Sequence, residues 1–187
     1  MKTNVIMVVA SGVIALVSGC SQDAAKRPGV GDKHDLVVEA EPPHKRTNVG
    51  SHYWKIEWQG KPPHLLAFPS DNTVFDRKHI STTAPSVEYL VLFEQPGTYY
   101  LWVNGKGEAG GASVIPGLDG LPLAENADFM GFFPEEFSWI GGLHDTGKRT
   151  VLRIDTAGEH RVNFWMLEDG FRFDKFMITT DSKLIPE

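Results

Sequence analysis

Short runs of β-branched and aromatic residues alternate with clusters of Gly, Pro, Asn and Asp from Leu36 to the end of the chain, and no run of ten or more residues there has helical spacing. Such runs are typical of strands, whereas amphipathic helices repeat every three to four residues. Without predicted helices to cover a parallel sheet, the strands must bury their apolar faces sheet against sheet. The sequence therefore predicts an all-β fold, a two-sheet antiparallel β-sandwich of the jelly-roll type.

Nine strands are predicted, at residues 36–41, 52–58, 64–68, 86–94, 98–104, 112–118, 149–155, 159–167 and 171–180. Turn residues at 94–97, 155–158 and 168–170 predict three hairpins, because Pro fixes φ and Gly supplies positive φ. Residues 119–146 are rich in Gly and Pro but also in aromatic side chains, so they predict an excursion that packs against the domain.

The N-terminus predicts export and lipidation. Lys2 precedes an apolar stretch of 13 residues, 5–17, which is typical of a signal peptide and shorter than the roughly 20 residues of a spanning helix. The following residues, Leu-Val-Ser-Gly-Cys at 16–20, resemble the lipobox of bacterial lipoproteins. An ordinary secretory signal is the alternative, but Cys20 is the sole cysteine of the chain and lies at the cleavage point, which also excludes an intramolecular disulfide. We expect residues 1–19 to be removed and Cys20 to carry the lipid.

The resulting organisation is a lipidated tether, 20–35, followed by one domain, 36–187. Diacylation of Cys20 plus an amine-linked acyl chain such as palmitate supplies the two or more acyl signals that stable anchoring needs. Ser21 rather than Asp follows the cysteine, so resemblance to sorted lipoproteins favours the outer membrane. Losing Lys2 from the 18 basic residues leaves 17 against 24 acidic ones, a net charge of −7, which makes nucleic acid an unsuitable partner.

Four segments together resemble the galactose-binding-like, jelly-roll carbohydrate-binding modules of secreted glycoside hydrolases and polysaccharide lyases. The most specific is 157–179, with a Gly-x-His strand, an Asp-Gly turn and an Asp-Lys step in the last strand; the others are 85–103, 117–120 and 137–139. The resemblance covers roughly Glu39 to Thr180. It departs at Asn104 and Leu167, where the family commonly has Arg.

The resemblance also implies a structural calcium site. The Glu39-Ala40-Glu41 segment is similar to the first strand of these modules, whose acidic side chains meet the Asp of the last strand, here Asp174, around the ion. Calcium takes six to eight oxygen ligands, which carboxylates from two distant strands and backbone carbonyls could supply. Glu57 is an alternative donor. In the other interpretation Asp174 pairs with Lys175 or an arginine and both glutamates face water.

Sugar binding needs an aromatic face and a few fixed polar groups. Trp139, in the long excursion, is the predicted platform, whereas the mid-strand positions of Trp102 and Trp165 favour the core. Trp54 and Trp58 fall on one strand face by alternation, and the sequence does not assign that face. The resemblance maps polar ligands to Glu168, Asp169 and Arg172; the alternative is that these three form a solvated turn.

Catalytic patterns are weak. The sequence contains no Gly-x-Ser-x-Gly motif and no His-Glu-x-x-His spacing among its seven histidines, and nothing singles out a pair of carboxylates for glycoside hydrolysis. We therefore expect a non-catalytic, membrane-anchored protein whose partner is a polysaccharide or glycan. Two alternatives stay open, a structural or adaptor lipoprotein that binds another envelope protein, and a small polysaccharide-degrading enzyme.

Overall fold

A computed structural model of the protein describes residues 29–31, 35–58, 63–108, 112–123, 130–144 and 147–187. The predicted signal peptide, Cys20 and most of the predicted tether lie outside these residues. The described residues fold into two packed β-sheets, so the predicted β-sandwich is confirmed. Across the same residues, no helix has the length and apolar character that crossing a membrane requires.

Strands supply most of the regular structure. In chain order they are β1 Gly29–Val30, β2 Leu36–Glu39, β3 Lys45–Thr47, β4 Tyr53–Glu57, β5 His64–Phe68, β6 Ser86–Phe93, β7 Gly97–Lys106, β8 Ala112–Leu118, β9 Leu121–Pro122, β10 Met130–Phe133, β11 Ser138–Ile140, β12 Val151–Ile154, β13 Gly158–Met166 and β14 Arg172–Thr179. One 3₁₀ turn, Arg77–His79, leads into a short helix, α1, Ile80–Thr83. Asp76 begins that turn, because its side chain accepts a hydrogen bond from the Lys78 amide.

Sheet 1 has the strand order β1-β6-β13-β8-β10, with β3 also on β6 and β9 on β8. Sheet 2 has the order β11-β7-β14-β5-β4, with β12 also on β7 and β2 on β14. Among the described strands every pairing is antiparallel except that of β1 with β6. The last two long strands, β13 and β14, lie near the centres of the two sheets, so the sandwich is completed by the C-terminal part of the chain.

The three predicted hairpins are wrong in one respect. The turns at 94–97, 155–158 and 168–170 are tight, but each joins a strand of one sheet to a strand of the other: β6 to β7, β12 to β13 and β13 to β14. Gly170 has a φ of 80°, as the Asp-Gly signal predicts. Turn residues specify that the chain reverses, and both a hairpin and a connection between sheets reverse it.

The core lies between the sheets, and alternation within the strands supplies it. Every second residue of β6 is buried: Val87, Tyr89, Val91 and Phe93. Tyr89 packs against Phe164 of the neighbouring strand β13 and against Phe173 and Phe176 of β14 in the other sheet, with the nearest ring centroid 4.9 Å away. Its buried hydroxyl donates a hydrogen bond to the Ala40 carbonyl at 2.7 Å, which removes the cost of burying an unpaired polar group.

Two residues of the predicted tether, 20–35, form a strand of the sandwich. Gly29 and Val30 form β1 and pair with Leu92 and Phe93 at the edge of sheet 1. Val30 is fully buried in the main core cluster. A two-residue strand carries no alternation, so composition alone assigned this segment to the tether.

The excursion at 119–146 packs, as predicted, over its described part. It forms β9, β10 and β11, and both Met130 and Phe133 are fully buried. Phe132 is more than half exposed and has a φ of 57°, where β10 bulges against β8. Residues 124–129 and 145–146 lie outside the described residues.

Candidate functional site

Polar side chains from β4, β5, β7 and β14 meet on the outer face of sheet 2, close to the end of the sandwich that carries the β13–β14 turn. Glu57 lies opposite His64, and Arg172 lies opposite both Leu66 and Lys106. Their neighbours at alternate positions belong to the core, so strand alternation directs these side chains outward.

Arg172 is the centre of this group. Its Nε donates to Glu57 Oε2 at 2.9 Å, and its guanidinium donates to Glu108 Oε1 at 2.7 Å. His64 Nε2 donates to the same Glu57 oxygen at 3.2 Å. The imidazole of His64 is buried, so Glu57 is held between two donors in a fixed position.

Glu57 and Arg172 each stabilise the charged form of the other. Burial by itself raises the pKa of Glu57, but the contacts with Arg172 and His64 outweigh it and lower that pKa below its usual value. Burial disfavours the charged form of Arg172, whereas Glu108 and Glu57 together raise its pKa. Both groups are therefore ionised at neutral pH and are oriented by each other.

Aromatic surface adjoins these polar groups. The Phe137 ring is 39% exposed; its centroid lies 5.4 Å from the His64 ring and 5.0 Å from Lys106 Nζ. Trp58 directly follows Glu57 and is 76% exposed. We call the following residues the Arg172 cluster: Glu57, His64, Lys106, Glu108, Phe137 and Arg172. The cluster offers a partly exposed aromatic face, Phe137, beside fixed hydrogen-bond donors and acceptors. The exposed Trp58 directly follows one of its carboxylates in the chain.

Sequence reasoning missed Trp58 as well as most of the Arg172 cluster. Alternation placed it on the same face as Trp54, which is a core residue, 1% exposed. Strand β4 ends at Glu57, so alternation stops one residue before Trp58. The available signal was the Gly-Lys-Pro-Pro run at 60–63, which indicates that the strand ends nearby.

Trp139 lies within a strand rather than in a loop. It belongs to β11 and pairs with Asn104 of β7, which places it on the same outer face of sheet 2. Its indole Nε1 donates to the Glu187 carbonyl at 3.1 Å, and its side chain is partly buried. The two tryptophans predicted for the core, Trp102 and Trp165, are 6% and 3% exposed.

Glu168 and Asp169 do not join Arg172. Glu168 accepts a hydrogen bond from Ser113 Oγ at 2.6 Å, and the buried Asp169 accepts one from the Asp71 amide. Burial and the nearby Asp71 raise the pKa of Asp169, and the Thr73 hydroxyl lowers the pKa of Asp71 to about 2. Of the three polar residues predicted to bind ligand, Arg172 thus reaches the outer-face cluster, while Glu168 and Asp169 join loops.

Two of the predicted calcium ligands, Glu39 and Asp174, lie on neighbouring strands, β2 and β14. The Ala40 amide donates to the Asp174 carbonyl at 2.8 Å, and Glu39 pairs with Lys175. Asp174 forms an ion pair with Lys175 at 3.2 Å, the alternative that the sequence allowed. Glu41 forms one with Arg46 at 2.5 Å.

Two further observations concern the ability of these residues to bind a cation. Glu39 Oε2 is buried and accepts no hydrogen bond, so one acceptor of the predicted set has no donor. Among the described residues, the trio whose potential ligand atoms all lie within 4.8 Å of one another is a different one, His52, Asp71 and Asp169. The donor chemistry at Glu39 fits a hard cation, whereas the ion pairs of Glu41 and Asp174 would have to open to bind it.

Comparisons with known proteins give a fold and no family. No family model matches the sequence. The uncharacterized protein P23 of Formosa agariphila is 34% identical over 118 residues, 54% of this chain, and the chain spans about a quarter (26%) of that relative's length.

A family 35 carbohydrate-binding module from Clostridium thermocellum superposes with a TM-score of 0.54 at 12% identity, over 79% of this chain and 99% of that one. The C-terminal CBM6 of the laminarinase LamC from Zobellia galactanivorans does so with a TM-score of 0.51 at 12% identity, over 79% of this chain and all of that one. The chain therefore shares the β-sandwich fold of these modules.

Proposed function

We propose that this protein is a non-catalytic carbohydrate-binding lipoprotein that holds a glycan at Trp58 and the Arg172 cluster. The observation that carries the proposal is a tryptophan with 76% of its surface exposed, next in the chain to a carboxylate held by two donors. A sugar ring presents an apolar face that stacks on an aromatic ring and hydroxyls that both donate and accept hydrogen bonds. The fold shared with carbohydrate-binding modules supports the same proposal.

The charge of the cluster favours hydroxyl groups as ligands. Its two cations, Lys106 and Arg172, are matched by two carboxylates, Glu57 and Glu108, so a neutral sugar meets no excess charge. The lowered pKa of Glu57 makes it a poor general acid, since glycosidases raise the pKa of that group. Binding without hydrolysis is therefore the favoured activity.

Attachment and metal binding complete the proposal. Lipid on Cys20 would hold the domain at the cell envelope, with the outer membrane favoured. A structural calcium ion would be held by Glu39, Glu41 and Asp174, and the unpartnered Glu39 Oε2 supports it.

Two matched tryptophan variants test the glycan site. Trp58→Ala should weaken retention on polysaccharide affinity gels about fivefold or more, because stacking on an aromatic ring contributes about 1 kcal/mol. Its melting temperature should hardly change, because the ring is mostly exposed. Trp139→Ala made in parallel should have the smaller effect on binding. A larger loss in Trp139→Ala would move the platform to Trp139, the sequence-based prediction.

A glycan array decides between this function and its alternatives. The wild-type domain should bind at least one polysaccharide, and Trp58→Ala should lose that signal. Absence of binding to every glycan would contradict the proposal and leave the adaptor alternative, and release of reducing ends from a bound polysaccharide would favour an enzyme.

A further inference from the structure

A concave site lies at the edge of sheet 2, and its lining shares no residue with the Arg172 cluster. Strands β11 and β12 both pair with β7 and leave a gap between them. Next to this gap Gly142 is bridged to Arg149, and the Leu143 amide donates to the Lys148 carbonyl at 2.8 Å. The result is an open pocket of about 430 Å³, which is within the size range of small-molecule sites. We call it the Arg149 pocket; its lining includes Trp102, Gly131, Gly141, Leu143, His144 and Arg149.

Arg149 is held in this pocket by an aromatic ring. Its guanidinium carbon lies 4.2 Å from the centroid of the Trp102 ring, within the range of a cation–π contact. Gly141 packs on the same indole so closely that an added Cβ would lie 2.4 Å from a ring atom. The ring is 6% exposed, so it is a fixed support for the cation.

The charge environment of Arg149 differs from that of the other arginines described above. Arg172 bonds to two glutamates and Arg46 to one. Within the described residues, no carboxylate lies at ion-pair distance from Arg149, and no Asp or Glu lines the pocket. The donors of the guanidinium are therefore available to an external acceptor, and their fork geometry matches a planar carboxylate or a sulfate group.

We propose that the Arg149 pocket binds an anionic group of a glycan, the carboxylate of a uronic acid or a sulfate ester, and so selects charged sugars. The inference rests on the proposed glycan-binding function and adds a second, charge-selective contact to the neutral one at Trp58. Gly147 also lines the pocket and has open space where a Cβ would lie, so its backbone lets a sugar ring approach closely.

Matched charged and neutral ligands test this site in the whole domain. Isothermal titration compares polygalacturonate with its methyl ester, and dextran sulfate with dextran, against wild type, Arg149→Gln and the control Arg153→Gln. Arg153 is an exposed arginine of β12, so it controls for loss of one positive charge. Arg149→Gln should lose about tenfold in affinity for an anionic polymer, as expected for a charge-assisted hydrogen bond, and keep its affinity for neutral ones. The carboxylate and sulfate arms show which anion the pocket prefers.

A second measurement separates this inference from the proposed function. D-glucuronate, with D-glucose as control, is titrated into the labelled domain while the indole N–H resonance of Trp102 is followed by NMR. A glucuronate-specific shift that disappears in Arg149→Gln supports the pocket even if no polysaccharide is retained at Trp58. Arg149→Lys keeps the charge but loses the fork geometry, so it should weaken the glucuronate response, and it serves if the Gln variant does not fold. Glycan binding that is equal for charged and neutral ligands, with no response at Trp102, would overturn the inference and leave the proposed function intact.

Discussion

Glu39 presents a buried carboxylate oxygen that accepts no hydrogen bond. An ionised oxygen without a partner in a buried position is costly, so such a group indicates a missing cation, proton or water. Its strand pairs with β14 beside Asp174, the residue that the family resemblance placed on calcium. The side chains of Asp174 and Glu41 are instead paired with Lys175 and Arg46, and calcium would have to compete with these two cations.

Calcium should therefore raise the melting temperature of metal-stripped protein. A ligand present at a hundred times its dissociation constant stabilises the folded state by about 2.7 kcal/mol, which for a domain of this size corresponds to roughly 5–10 °C. Asp174→Ala should erase the difference, and Asp181→Asn, in the segment that follows β14, should keep it. Identical melting curves with and without calcium would leave Asp174 as the ion-pair partner of Lys175.

At the scale of elements, two separate sequence motifs meet in one contact. Asp119 of the Leu-Asp-Gly turn after β8 has a φ of 51°, and its carboxylate accepts hydrogen bonds from the Arg161 amide at 2.9 Å and from His160 Nδ1 at 2.7 Å. The other ring nitrogen of His160 lies 2.9 Å from the Thr156 carbonyl. The Gly-x-His motif of β13 thus fastens the turn that follows the neighbouring strand.

This contact predicts a pH dependence of stability. Burial lowers the pKa of His160, but Asp119 and the Thr156 carbonyl outweigh it and raise that pKa above 6.5. A raised histidine pKa stabilises the folded state below 6.5, and the stabilisation is lost as the pH rises through the folded-state value. Urea denaturation measures the free energy of unfolding at pH 6 and at pH 8.5. Wild type should lose more of it over this range than His160→Gln, by a few tenths to about 1 kcal/mol, as expected for partly exposed ion pairs.

The matched control for this pH effect is a second histidine–aspartate pair. His79 Nδ1 lies 2.7 Å from Asp76 Oδ2, but both side chains are more than half exposed. The His79→Gln variant should therefore lose as much stability as wild type between pH 6 and pH 8.5. Equal pH profiles for wild type and His160→Gln would show that the contact with Asp119 has no role in stability.

On the scale of the whole molecule, the sandwich is joined to its N-terminal segment through β1. Val30 is buried in the core, and the Glu94 amide donates to its carbonyl at 3.0 Å. Residues 29 and 30 of the predicted tether are therefore part of the sandwich.

Attachment should depend on the sulfur of Cys20, the sole cysteine of the chain. Cys20→Ser should release a soluble or uncleaved form, because no acyl group can then be added. Detergent partitioning and uptake of labelled palmitate measure this, with Ser21→Ala as a control that stays anchored. Unchanged partitioning and labelling in the Cys20→Ser variant would rule out the lipoprotein assignment.

The local pattern of the sequence determined where most strands lie. The predicted ranges 64–68 and 112–118 coincide with β5 and β8, and the other seven overlap their strands with small differences at the ends. Alternation and turn residues act within a few positions of the chain, so one sequence suffices to read them. Short strands such as β3, whose three residues are all exposed, lack alternation and were missed.

Tertiary structure alone decided which strands share a sheet and which residues form the site. The turns at 94–97, 155–158 and 168–170 have the same residues whether they join neighbours or cross between sheets, and packing of the two apolar faces selected the crossing. Arg172 was predicted as a ligand residue, but its partners come from strands far away in the chain, Glu57 at a separation of 115 residues. The Arg149 pocket depends on the gap between β11 and β12, which both pair with β7. These are long-range properties, because each is set by residues that become neighbours only when the sheets assemble.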